Sequence, residues 1–168
     1  MDRQRTFTWG DPTTTASAAR TSAGIDVLLG IQRGEFPAAP IAETLGFELE
    51  SVEAGRVVFA VEPAEFHYNP IGSVHGGVYA TLLDSATGCA VHSKLPAGVG
   101  YTRLDLTVKF LRPITVDTGR VRCVGTVTHL GGRTALAEAR MTDAADRLLA
   151  TATSSILVIR PQPGTQVG

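Results

Sequence analysis

At 168 residues the chain has room for one ordinary domain with a real core, and not for two comfortable ones. An apolar content of 43% with 18% charged residues describes a folded globular chain and excludes a disordered one. A net charge of −1 offers no general pull on nucleic acid or an anionic membrane, so an anionic ligand must be held by a few local groups.

Residues 1–20 are rich in Thr, Ser and Ala, interrupted by Gly10 and Pro12, and show no periodicity. They read as a flexible N-terminal tail, in which Phe7 and Trp9 are free to dock. They also lack the apolar core of a signal peptide, and no apolar run reaches the ~20 residues a membrane helix needs. From Gly24 to Arg33, Ile25, Leu28, Leu29 and Ile31 recur at helical spacing, and Gly34, Pro37 and Pro40 end that helix. After Thr44 the period becomes two. Gly46 to Val52 and Val57 to Val61 flank the turn Glu53-Ala54-Gly55, which predicts a hairpin.

A loop from Pro63 to Ser73 carries His67 and Asn69. Residues 75 to about 93 then form the strongest predicted helix, with Val78, Leu82, Leu83, Ala86, Cys89 and Ala90 on its apolar positions. Gly76, Gly77, Ala80, Ser85 and Gly88 are small, which costs helix stability and permits close approach to another surface. Leu104, Leu106, Val108 and Phe110 alternate as a strand. Val121 to Leu130 and Thr134 to Met141 form a hairpin across Gly131-Gly132, and Leu148 to Ile159 is the last strand. The domain thus spans 24–159, with a polar tail over 160–168. One sheet and one helix leave a helix side or a sheet edge wanting a partner. Cys89 and Cys123 lie in different elements without CxxC spacing; with no export signal visible, two reduced thiols in a cytoplasmic protein are expected.

The chemistry concentrates between His75 and Asp84. First-turn N–H groups of a helix have no intrahelical partner and carry the positive end of its dipole. With no side chain at Gly76, a substrate carbonyl can reach one of them, as in an oxyanion hole. The alternative is that the glycines only let the helix pack closely. Asp84 is an awkward residue among Leu82, Leu83 and Ala86, and reads either as a solvated or paired carboxylate or as a catalytic one. Eight residues of rise separate it from Gly76 by roughly 12 Å. A base and an oxyanion donor serving one carbonyl must each lie within about 3.5 Å of the reacting atoms. They therefore cannot cooperate within one chain. Antiparallel copies of the helix about a two-fold axis would bring Gly76 of one subunit to Asp84 of the other.

The run Asn69-Pro70-Ile71-Gly72-Ser73-Val74-His75-Gly76-Gly77, followed by Leu83-Asp84, resembles the signature of hot-dog-fold thioesterases. The similarity is closest to the PaaI-like branch, which includes phenylacetyl-CoA and 4-hydroxybenzoyl-CoA thioesterases. Tyr101 to Pro113 resembles a strand of the same branch. The resemblance implies an α+β fold with an antiparallel sheet wrapped around a long central helix. It implies an acyl-CoA substrate, hydrolysed to free acid and CoA, and a homo-oligomer, a dimer or a dimer of dimers (homotetramer), with sites shared between subunits. Gly76 N–H would polarise the thioester carbonyl, His75 would position it, and Asn69 would orient carbonyl or water, unless it serves only as a turn residue before Pro70. Asp84 of the partner would be general base or nucleophile. Gly77, Thr102, Arg103 and His67 are candidate substrate-binding residues, His67 being equally readable as an ordinary loop residue.

Arg103 departs from the family pattern, which often carries a Thr or Ser hydroxyl there to hold water. Thr102 could substitute. Arg103 could meet an acidic acyl group or a CoA phosphate, or simply lie at the surface. Arg112 and Arg133 are further candidates for phosphate contact. No metal motif, cofactor motif or GxSxG elbow is present, and neither nucleic acid nor membrane is an expected partner. The competing function is a hot-dog protein that binds acyl-CoA without turning it over, as a sensor or accessory subunit. A dehydratase of the same fold would need a different pairing of histidine and acid.

Overall fold

The computed structural model describes residues 2–160. The polar tail expected over 160–168 lies, from Pro161 onward, outside the described residues. In chain order the described elements are helices α1 (Pro12–Thr21), α2 (Gly24–Gln32) and α3 (Pro40–Leu45), the hairpin β1 (Phe47–Glu53) and β2 (Arg56–Val61), and the long helix α4 (Gly76–His92). Strands β3 (Gly100–Arg103), β4 (Thr107–Phe110), β5 (Val121–Leu130), β6 (Thr134–Thr142) and β7 (Leu148–Ile159) follow. Short 3-10 turns occupy Glu65–His67 and Val116–Thr118.

All seven strands among the described residues join one antiparallel sheet in the order β1-β2-β5-β6-β7-β3, with β4 also pairing β7. Helix α4 lies across its concave face. Leu82, Leu83 and Ala86 are fully buried in one cluster with Val57, Val121, Cys123 and Ala139, while Val91 is buried in a second cluster with Ala135, Ala137 and Ile156. Truncating either leucine to alanine would cost about 2–5 kcal/mol on general grounds. The helix comes closest at Gly125 of β5, where any side chain would overlap the Ala86 carbonyl. The α+β class, the hairpin, the central helix and the C-terminal meander are as expected.

Two expectations are corrected. The alternation through Leu104 to Phe110 is not one strand. Between Arg103 and Thr107 three residues face only two between Ile156 and Thr153, so a bulge leaves Leu104, Asp105 and Leu106 out of the strand, which is confined to β4 and set off from β3 before it. Asp105 fills the gap: its Oδ1 accepts the Ser155 N–H at 3.0 Å, and its carbonyl accepts from Ser154 Oγ. The segment 1–20 is not an unstructured tail throughout. Asp11 caps α1 through the Thr13 N–H, and Pro12 sits at the first helical position, where a missing N–H costs nothing. Before it, Arg5 donates to the Glu43 and Thr44 carbonyls and stacks 4.0 Å over the Phe66 ring, while Arg3 pairs with Glu65.

Candidate active site

Helix α4 begins at His75, whose Nδ1 accepts the Gly77 N–H at 2.8 Å. That bond puts the ring proton of the neutral imidazole on Nε2, which faces outward from an exposed side chain. The Gly76 N–H, by contrast, has no acceptor among the described residues. It is the orphan donor that a helix start leaves free. A Cβ on Gly76 would come within 3.2 Å of the Phe110 ring, so this aromatic lies directly over the helix start. Phe110 in turn packs edge-on against Tyr79, with centroids 5.5 Å apart. The cleft between them measures about 330 Å³ and is walled by Ser73, Val74, Gly76, Tyr79, Phe110 and Leu111. A Cβ on Gly77 would come within 3.0 Å of His75 Nδ1, so a side chain there would push on the capping ring.

Asp84 lies two turns further along. Its half-buried carboxylate stands 2.6 Å from Arg103 Nε. The Nε–H is not aligned on the carboxylate, so this contact is ionic, while Arg103 Nη2 donates to the Asp84 main-chain carbonyl. Burial raises the Asp84 pKa above the usual carboxylate value and Arg103 opposes it. The guanidinium lies in a notch left by Gly88, where a side chain would overlap it. Cys89, one turn on, is pushed up to about 12 by burial and stays a neutral thiol. Both cysteines are free. Beside Asp84, Ser85 and Cys89 wall a second cavity of about 480 Å³ between α4, α2, α3 and β1, lined by Leu28, Ile31, Phe47 and Leu49.

The structure thus gathers His75, Gly76 and Gly77 at the start of α4, and Asp84 with Arg103 at its middle. Three further candidates fall elsewhere. Thr102 sits on the strand face opposite to Tyr101 and Arg103, exposed, so within one chain it does not supply a hydroxyl beside Asp84. Asn69 closes an Asx turn, its Oδ1 accepting from Ile71 and Ser73 and its amide bonding Ser73 Oγ. His67 is buried with both ring nitrogens engaged: Nδ1 accepts the Ala64 N–H, and Nε2 bonds the Leu45 carbonyl at 2.6 Å. It has no polar atom left for a substrate. Sequence reasoning missed Phe110 as a cover on Gly76, and missed the cavity walled by α2 and α3. It noticed Arg103 without finding its partner.

Residues 71–150 match the family model described as "Thioesterase superfamily". The chain is 28% identical to the 1,4-dihydroxy-2-naphthoyl-CoA hydrolase of Listeria monocytogenes over 70% of its length and 94% of that protein. It is 34% identical to a protein of Halobacterium salinarum named as an esterase, over 61% of this chain and 69% of that one. The phenylacetic acid degradation-related protein of Ralstonia eutropha superposes with a TM-score of 0.70 at 28% identity, covering 77% of this chain and 98% of the other. Fold and relatives define a thioester hydrolase on the hot-dog scaffold. The chain belongs to the thioesterase superfamily.

Proposed function

We propose that the protein hydrolyses an acyl-CoA with an aromatic or short to medium acyl group, in an active site built by two copies of the 24–159 domain. The observation that carries this reading is the free Gly76 N–H at the open mouth of α4, roughly 12 Å along the helix from the half-buried Asp84. A thioester carbonyl oxygen accepts from Gly76 N–H and His75 Nε2 of one subunit. Asp84 of the two-fold-related subunit removes a proton from water as the water oxygen bonds to the carbonyl carbon. The C–S bond then breaks, the acid departs, and the CoA thiolate takes up a proton. In the nucleophilic variant the Asp84 carboxylate bonds to the carbonyl carbon as the C–S bond breaks and the CoA thiolate leaves and takes up a proton, and water then cleaves the mixed anhydride to the free acid and the regenerated carboxylate. The acyl group enters the cavity between α2, α3 and β1.

The assembly is a dimer or a dimer of dimers, working in the cytoplasm. Support for a partner comes from the open β3–β4 edge and from exposed Ile71, Leu104, Phe110 and Leu111 around it. The name of the Listeria relative supports a CoA thioester as substrate. No helix among the described residues is long and apolar enough to cross a membrane. One observation favours a second reading, an acyl-CoA binder without turnover: the Arg103 guanidinium already occupies the Asp84 carboxylate.

Free-thiol release from a panel of aromatic and straight-chain acyl-CoAs decides between them. Wild-type protein is expected to cleave at least one, and Asp84→Ala to lose about 100-fold or more in kcat. Cleavage by Asp84→Ala at the wild-type rate would overturn the mechanism. Binding of intact acyl-CoA with no release across the panel would establish the binder.

A further inference from the structure

We propose that Arg103 is a positioning residue for Asp84, fixing the orientation of its carboxylate and holding it in the ionised form that attack on the thioester requires. The inference rests on the reading of Asp84 as base or nucleophile. Its geometric basis is that Arg103 grips one residue at two points. Nε stands 2.6 Å from Oδ1, and Nη2 donates to the main-chain carbonyl of the same aspartate. A single charge at the end of a flexible chain, as in lysine, reaches only one of these. The notch at Gly88 gives the guanidinium its bed, and the alternation of β3 turns Arg103 inward while Thr102 turns outward.

The need for such a partner follows from the surroundings. Asp84 projects from a helix whose flanking Leu83, Ala86 and Thr87 are buried, and burial favours its neutral form. The titratable groups facing it are Arg103 and Tyr101 from β3 and Cys89 from its own helix. Burial keeps Tyr101 and Cys89 neutral through the working range. Among the described residues, Arg103 is the titratable group whose charge shifts the Asp84 carboxylate. Arg103 is therefore the one cation among the described residues that opposes burial there.

The test is the pH profile of kcat/KM for the best acyl-CoA substrate, measured for wild type, Arg103→Met, Arg103→Gln and Arg103→Lys, with Asp84→Ala alongside. Removing the cation leaves burial unopposed, so Asp84 takes up its proton at higher pH. The acid limb of Arg103→Met and Arg103→Gln is expected to move upward. At the foot of the wild-type limb they lose about tenfold more than on the alkaline plateau, which itself falls because both orienting ties are gone. Arg103→Lys is expected to return the limb toward its wild-type position with a lowered kcat, because charge is restored and the second tie is not. A plateau that drops in all three variants with the acid limb unmoved would overturn the proposal, since that is what loss of packing alone produces.

A readout without turnover covers variants that are inactive. The thermal stability deficit of Arg103→Met should grow as pH rises from below the ordinary carboxylate range to neutrality, because only the ionised Asp84 feels the lost cation. A deficit independent of pH would equally overturn the proposal. Full activity of Asp84→Ala would instead sink the underlying assignment of Asp84, which keeps the two failures distinct.

Discussion

Gly76 occupies the first helical position of α4, and His75 before it is extended, at φ −62 and ψ 137, which is the conformation a residue preceding proline prefers. Gly76→Pro therefore deletes the N–H while keeping the helix start, since proline is well tolerated there. The exposed Phe110 ring must give way by a few tenths of an ångström, so the expected result is a fall in kcat of about 100-fold with a modest drop in thermal midpoint, measured by thiol release and circular dichroism. His67 gives the opposite pattern. Burial depresses its pKa below the ordinary 6.5, so the folded state stays neutral while the unfolded chain takes up a proton as pH falls through that value. Its contribution is present above about 6.5 and is lost progressively below it. His67→Gln should lower the thermal midpoint at neutral pH, flatten part of the fall on acidification, and leave kcat within about twofold. His92, depressed by burial as well, accounts for some of the remaining slope. The placement of His75, Gly76 and Asp84 at the start and middle of one helix was legible in the sequence because helix geometry and spacing are local. The satisfied ring of His67 was not, because its acceptor Leu45 is 22 positions away in the chain.

Among the elements, α4 decides the rest, and two glycines, Gly88 of its own and Gly125 of β5, seat two different neighbours. Gly125 below and Gly88 above let β5 and the Arg103 guanidinium approach the helix on separate sides. Gly125→Ala pushes a methyl into the Ala86 carbonyl and should destabilise by about 3 kcal/mol in urea unfolding. A loss under about 0.5 kcal/mol would show that the sheet and helix are not so closely seated. The periodicity of β5, β6 and β7 carried their positions because burial largely alternates along each, while β2, buried from Val57 to Val61, was marked by the turn before it. The split between β3 and β4 left no such trace: Leu104 and Leu106 continue the alternation, and only the side chain of Asp105 reaching Ser155 reveals the extra residue. Helix α1 was legible in principle, as Asp11-Pro12 is a capping residue followed by a first-position proline. The absence of an apolar stripe hid it, and the helix indeed has no buried residue. The cavity beside Ser85 and Cys89 needed the packing of α2 and α3 on β1, which no local pattern encodes.

For the whole molecule the central claim is that one copy is incomplete. The Gly76 N–H and the Asp84 carboxylate on α4 lie too far apart to meet one carbonyl, so the proposed mechanism requires two chains. Sedimentation at micromolar concentration should therefore show a dimer or larger, and a monomer that turns over substrate at that concentration would contradict the geometry. The most direct test is complementation between two defective chains. Gly76→Pro and Asp84→Ala proteins are each expected to be nearly inactive alone. In a mixed dimer one site carries both lesions and the other carries neither. With random exchange half the dimers are mixed, and coexpressed or refolded mixtures should recover about a quarter of wild-type activity. A mixture that stays at the sum of its inactive parents, although the subunits have exchanged, would contradict the shared site.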